Sequence, residues 1–299
     1  MRFESLLYEK FFPKDEPKAI IQISHGLVEY KRRYYEFIEY LTKNNFAVYI
    51  NDHYGFGENN INNVVGSYES LKVWEKLVDD MFKLNIIIRK ENPNKKVILL
   101  GHSMGSMLSR RYIQRYGGVD GVILSGANGK PFINELVALF ISLFETTFFG
   151  RRHLSKTLFY LQFGTYNSHF KDRRTLFEWL STDREKVIDY KNDPYCGIPV
   201  SSAFFMDMVL GYFRLSKIEN VKKVKKDLHL LFISGKDDPV GNFGKGVLES
   251  FNLYKNVGLK NISIKFYDGK RHEILNENGR KEIYDDIIFW IKKNVLEEI

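Results

Sequence analysis

The chain has 299 residues, 44% of them hydrophobic and 27% charged, which suits one large mixed globular domain or two smaller ones. A single cysteine, Cys196, excludes an internal disulfide and any metal site built from cysteines. The net charge of +8 is spread along the chain rather than striped, and no nucleic-acid module accompanies it, so no nucleic-acid partner is expected.

The opening Met1-Arg2-Phe3-Glu4-Ser5-Leu6 lacks the apolar stretch of a signal peptide, so a cytoplasmic, reducing location is expected. Residues 18–24 are rich in isoleucine, run into His25-Gly26 and read as a buried strand. Residues 34–44 place Tyr34, Phe37, Ile38 and Leu41 at helical spacing. A second strand, 46–51, opens into the glycine-bearing loop Asp52-His53-Tyr54-Gly55-Phe56-Gly57. A long helix is expected over 69–91, stopped by Asn92-Pro93. The apolar run Val97-Ile98-Leu99-Leu100 predicts a strand, 104–116 a helix and 119–125 another strand. Further on, strands are expected over 228–234 and 262–267, with helices over 243–257 and 279–295. The dense run Lys222-Lys223-Val224-Lys225-Lys226 reads as a solvated connection beside a strand.

Strands that alternate with helices and are apolar throughout imply a mostly parallel central sheet covered by helices on both faces, an α/β fold. The rhythm breaks after residue 128, where a long, aromatic-rich and helical stretch has no clear strand. The expected organisation is therefore a core made of 1–128 and 227–299 with an inserted helical cap over 129–226. The cap contains Phe132, Ile133, Leu136, Val137, Leu139, Phe140, Leu143, Phe144, Phe148 and Phe149, followed by Arg151-Arg152. That is more apolar circumference than a surface helix normally buries. Two explanations compete: a helix clamped between core and cap, or a lid with one face on the substrate and another on a lipid surface. The longest apolar stretch, 136–144, is about half of what a bilayer span needs.

Gly101-His102-Ser103-Met104-Gly105 carries the chemistry. A Gly-x-Ser-x-Gly pentapeptide gains meaning when a strand precedes it and a helix follows, because the serine then sits on a sharp, strained turn at the strand's end. Both conditions are met. A serine hydroxyl needs a histidine base, and the base needs an acid that fixes its tautomer. In this architecture the chain order is serine, acid, histidine. Of seven histidines only His272 lies in a loop after a late strand. The acid should lie in Gly235-Lys236-Asp237-Asp238-Pro239-Val240, where Pro239 biases Asp238 toward an extended conformation. Asp238 is therefore the expected acid and Asp237 the solvent-facing neighbour. The backbone N–H groups of Met104 and Leu27 are the expected oxyanion donors, and His25 could brace the Leu27 loop.

With these residues in place the chain resembles the α/β-hydrolase superfamily, and within it the monoacylglycerol lipase and lysophospholipase-like branch grouped with the serine aminopeptidases. The resemblance rests on Ser24-His25-Gly26-Leu27-Val28-Glu29 and Arg33-Tyr34, then on the 52–57 loop and the Gly101–Ser106 stretch. It continues through Asp193-Pro194-Tyr195-Cys196-Gly197, Ser234-Gly235-Lys236-Asp237-Asp238-Pro239-Val240 and Arg271-His272-Glu273-Ile274-Leu275-Asn276-Glu277. It departs at Tyr30, where the family commonly has histidine, and at Tyr54 and Phe56, where it usually has arginine and histidine. The resemblance implies a serine hydrolase that needs no cofactor and no metal and cleaves esters of lipophilic acyl groups. Ser103, Asp238 and His272 would be its triad, with Leu27 and Met104 as oxyanion donors. Thioesterase, aminopeptidase and acyltransferase chemistry use the same triad, and a binding protein without chemistry is the alternative from another class. Leu136, Phe140 and Phe144 are the expected acyl-chain contacts, and a membrane surface touched through the cap is the expected partner.

Overall fold

The computed structural model describes residues 6–60, 64–68, 70, 72–131 and 133–298. The expected helix start at Glu69, the apolar Phe132 and the opening residues 1–5 lie outside them. The core elements are β1 (Tyr8–Phe11), β2 (Ala19–Ser24), α1 (Tyr35–Lys43), β3 (Phe46–Asn51), α2 (Val73–Glu91), β4 (Val97–His102), α3 (Met104–Arg115) and β5 (Gly121–Ser125). Five helices follow: α4 (Ile133–Phe149), α5 (Lys156–Ser168), α6 (Arg184–Asn192), α7 (Ser202–Leu215) and α8 (Ile218–Val221). The chain then returns to the sheet with β6 (His229–Gly235), α9 (Lys245–Asn256), β7 (Ile262–Tyr267) and α10 (Arg280–Asn294).

The strands form one sheet in the order β1-β3-β2-β4-β5-β6-β7. Only β1 runs antiparallel, with Tyr8 opposite Asn51; every other neighbouring pair is parallel. Alternate residues of one strand feed two separate cores. In β4, Leu99 joins Trp74, Leu77, Met81 and Leu108 under α2 and α3. Ile98 and Leu100 join Phe37, Leu41, Ile287 and Ile291 under α1 and α10. This double burial is why β2, β3, β4 and β5 are buried along their whole length. Fully burying one such aliphatic side chain contributes about 1.5–3 kcal/mol.

The edge strand β1 was not expected from the sequence. Helix α2 ends where Asn92 caps it by donating its N–H to Ile88 O. The segment between β5 and β6 meets the loops that follow β2 and β7 through α6 and the stretches on either side of it. Gly197 N–H and the Tyr190 hydroxyl both donate to Val28 O, and Glu273 N–H donates to Leu180 O at 2.7 Å. These loops leave the carboxyl ends of parallel strands, where open α/β sheets bind their ligands. Among the described residues no helix is long and apolar enough to cross a membrane.

Candidate active site

Ser103 joins β4 to α3 with φ 52° and ψ −118°, a conformation that costs a non-glycine residue on the order of 1–3 kcal/mol. Its N–H is held by Ser125 O at 2.9 Å. The flanking glycines are required by approach distance. A Cβ on Gly101 would stand 2.3 Å from Gly105 O, and one on Gly105 would stand 2.0 Å from Ser24 O. Helix α3 begins at Met104; the N–H groups of Ser106 and Met107 donate to Ser103 O at 2.9 and 3.2 Å, and the positive end of the helix dipole lies at the serine.

The loop after β2 crosses directly over this turn. A Cβ on Gly26 would lie 3.2 Å from Ser103 Cβ, and Leu27 lines the pocket into which Ser103 opens. His25, buried below, bonds to Gly26 O through Nδ1 at 2.8 Å and accepts from His53 N–H through Nε2 at 2.9 Å.

His272 hangs from the loop after β7 and is buried. Its Nδ1 meets Asp238 Oδ2 at 2.9 Å, while Nε2 has no hydrogen-bond partner among the described residues. His272 and Ser103 line one pocket. Burial opposes charge on the ring, but the Asp238 carboxylate outweighs it, and the pKa rises above the ordinary 6.5. Asp238 is fully buried; its other oxygen accepts from Val240 N–H at 2.9 Å. Asp237 is exposed. The structure therefore brings Ser103, His272, Asp238, Leu27 and Met104 together; it buries Asp238 and leaves Asp237 exposed.

Leu136, Phe140 and Phe144 do not join them. They are 53%, 71% and 48% exposed, and neither this pocket nor the smaller one beside it includes them. The expectation that they contact the acyl chain is corrected here. Helix α4 turns Ala138, Leu139 and Ile141 toward the core and buries Ser142 and Glu145, which leaves its phenylalanines outside. The inserted helices instead supply Gln162, Phe163 and Tyr166 from α5, with Trp179, Leu180 and Tyr190. Leu27, Gln162 and Phe163 also line a second, smaller pocket whose other walls include Phe159, Ile198 and Phe205.

Sequence reasoning gave no role to a buried ionic group at the pocket's polar end. Glu29 and Glu273 line the pocket, and Arg33 lies between them, 3.5 Å from Glu29 Oε2 and bonded to Glu273 Oε2. The Tyr34 hydroxyl donates to Glu29 at 2.7 Å. Burial and the nearby Glu273 push the Glu29 carboxyl up to about 7, against the pull of Arg33. The only advance signal was the charge of these residues in two motif loops. Residues 178–182 also clasp the base loop: His272 N–H donates to Trp179 O at 3.3 Å, and Arg271 Nη1 donates to Glu178 O at 2.6 Å.

The profile of the family described as serine aminopeptidase, S33, matches residues 15–279. A monoacylglycerol lipase of Mycolicibacterium smegmatis is 25% identical over 96% of this chain and 92% of its own length. Human monoglyceride lipase is 26% identical over 94% of this chain and 84% of its own. Among solved structures, a thermostable carboxyl esterase from Bacillus coagulans in complex with glycerol superposes with a TM-score of 0.86 at 27% identity, covering 96% of this chain and 94% of that one.

Proposed function

The chain belongs to the serine aminopeptidase S33 family and is a carboxylic ester hydrolase similar to monoglyceride lipases, and from this premise we propose that it cleaves lipophilic acyl esters of the monoacylglycerol or lysophospholipid type through Ser103, His272 and Asp238. The observation that carries the reading is the His272 Nδ1 to Asp238 Oδ2 bond, which leaves Nε2 unpartnered in the pocket of a serine held at positive φ. In this mechanism Nε2 takes the Ser103 proton as Oγ attacks the ester carbonyl. The N–H groups of Leu27 and Met104 receive the oxyanion. The protonated ring then donates to the leaving alcohol, and Nε2 next activates the water that hydrolyses the acyl-enzyme. Asp238 stabilises the imidazolium and holds the tautomer.

In the same proposal residues 129–226 act as a cap. Its outer surface carries Ile133, Leu136, Val137, Phe140, Leu143, Phe144, Phe148 and Phe149 exposed on α4, with Tyr160 and Leu161 beside them on α5. An apolar patch of this extent on a chain of net charge +8 suits an anionic membrane surface. We place Leu136, Phe140 and Phe144 on that dock rather than on the acyl chain, which would lie against the apolar side chains around Phe163.

The test is labelling by a fluorophosphonate, followed by turnover of monoacylglycerols, lysophospholipids, short p-nitrophenyl esters and aminoacyl amides. Labelling at Ser103 with preference for long-chain esters is expected. Labelling elsewhere, or turnover of the amides alone, would overturn the reading.

A further inference from the structure

The peptide between Gly26 and Leu27 is clamped on the side away from the pocket. His25 is wholly buried directly after β2. Its Nδ1 lies 2.8 Å from Gly26 O, and its Nε2 lies 2.9 Å from His53 N, whose N–H can only donate. Only one ring state satisfies both contacts: neutral, with the proton on Nδ1 and the lone pair on Nε2. Burial supports that state by lowering the ring's pKa below the ordinary 6.5, with Asp52 opposing it only in part. The preceding peptide is held as well, because Gly26 N–H donates to the Glu29 carboxylate.

Peptide planarity carries this clamp into the pocket. In a trans peptide the C=O and the following N–H lie in one plane and point opposite ways. The Gly26 carbonyl points toward His25, which is not among the pocket-lining residues, whereas Leu27 is. Fixing the carbonyl therefore fixes the direction of Leu27 N–H. We propose that His25 is a positioning residue for ester hydrolysis, whose Nδ1–H holds the Gly26 carbonyl and so aims Leu27 N–H at the oxyanion. This inference rests on the reading of Leu27 N–H as an oxyanion donor.

The two ring nitrogens can be replaced one at a time. Asparagine places its amide near the position of Nδ1 and can keep the bond to Gly26 O. Glutamine reaches the position of Nε2 and can keep only the bond from His53 N–H. A donor that acts on the oxyanion lowers kcat and leaves ground-state binding alone. Complete loss of such a donor costs roughly a hundredfold to a thousandfold in kcat, so a misaimed one should cost about tenfold or more. With a soluble short-chain p-nitrophenyl ester, His25→Gln should lose that factor in kcat at an unchanged KM, and His25→Asn should retain most of the wild-type kcat. Equal losses in the two variants, a smaller loss in His25→Gln, or a loss confined to KM would overturn the proposal.

A second measurement does not depend on variants that fold. Nitrogen-15 NMR of the wild-type histidines reads the His25 tautomer directly. A proton on Nδ1 that persists across neutral pH is expected; a proton on Nε2 refutes the clamp. Wild-type ester turnover tests the functional reading separately, so failure of that reading and failure of the His25 assignment give different results.

Discussion

Asp238→Asn is the sharpest perturbation of the site. The carboxylate lies 2.9 Å from His272 Nδ1, and both side chains are essentially excluded from solvent. The amide is nearly isosteric, so packing is preserved. Its NH2 group, however, can face Nδ1 and draw the imidazole proton onto Nε2, the atom that must accept the serine proton. Such an exchange of tautomer in a Ser-His-Asp site costs about ten-thousandfold in kcat, which is about 5 kcal/mol of transition-state stabilisation. The acid limb of the pH profile should move too. The Asp238 carboxylate raises the His272 pKa against the effect of burial. In the wild type the neutral base is lost as pH falls through a value above 6.5, and in the variant the loss should come at lower pH. The assay is the pH dependence of kcat/KM on a soluble p-nitrophenyl ester. Exposed Asp237→Asn is the control and should change the rate by less than about threefold, as expected of a residue outside the acting unit. A severe loss in Asp237→Asn with a mild one in Asp238→Asn would refute the assignment. So would an acid limb that stays in place in Asp238→Asn.

Ser103→Ala should abolish fluorophosphonate labelling and lower esterase turnover by on the order of a thousandfold or more, with an unchanged thermal midpoint; near-normal turnover would remove the serine from the mechanism. Gly105→Ala would drive a Cβ to 2.0 Å from Ser24 O and 2.6 Å from His25 O, both backbone atoms. Such overpacking costs about 1–3 kcal/mol, so the melting temperature should fall by several degrees and activity with it; a neutral result would show that the turn is looser than described. Phe140→Glu combined with Phe148→Glu removes two rings that are 71% and 69% exposed. Inserting each ring even halfway into lipid is worth about 1 kcal/mol, so activity on anionic vesicles should drop about tenfold or more. Turnover of a soluble short ester should hardly change. Equal losses on both substrates would mean that the helix serves the fold and not a membrane.

The parts of the site that could be read in advance are those encoded by local sequence. A strand apolar on every residue, followed by Gly-x-Ser-x-Gly, specifies its turn within nine residues, since strand and helix cannot both start elsewhere. The expectation that told Asp238 from Asp237 was local as well, since a proline restricts the residue immediately before it. The edge strand β1 gave no such signal. Its sequence, Tyr-Glu-Lys-Phe, is half polar, with Lys10 exposed and the other three residues only partly buried, and its pairing with β3 joins residues about forty positions apart. The orientation of α4 was equally unreadable. A helix apolar around most of its circumference does not declare which stripe faces inward, and here Ala138, Leu139, Ile141, Ser142 and Glu145 take the inner side while the phenylalanines stay outside. That outcome reverses the ordinary expectation for an amphipathic helix. It moved Leu136, Phe140 and Phe144 from the substrate to the surface.

The least legible features are also those that give the pocket its rigidity. The base loop is held by carbonyl groups of Glu178, Trp179, Leu180 and Ser181, and a backbone acceptor leaves no trace in residue type. Arg33 reaches across 240 positions to Glu273, beside the base, while it also lies against Glu29, which holds Gly26 N–H. The base loop and the oxyanion loop are therefore tied to each other through one buried guanidinium, and the base loop is tied to the inserted helices through their main chain. Removing one partner from a buried ionic group leaves an uncompensated charge and costs several kcal/mol, so neither loop can shift freely while the group is intact. The serine end needs no such tie, because its turn is fixed by the strand and helix on either side of it. Catalysis by preorganised dipoles requires donors and base to be in place before charge develops. In the proposed mechanism the chain would meet that requirement by local sequence at Ser103 and by long-range contacts at Leu27 and His272.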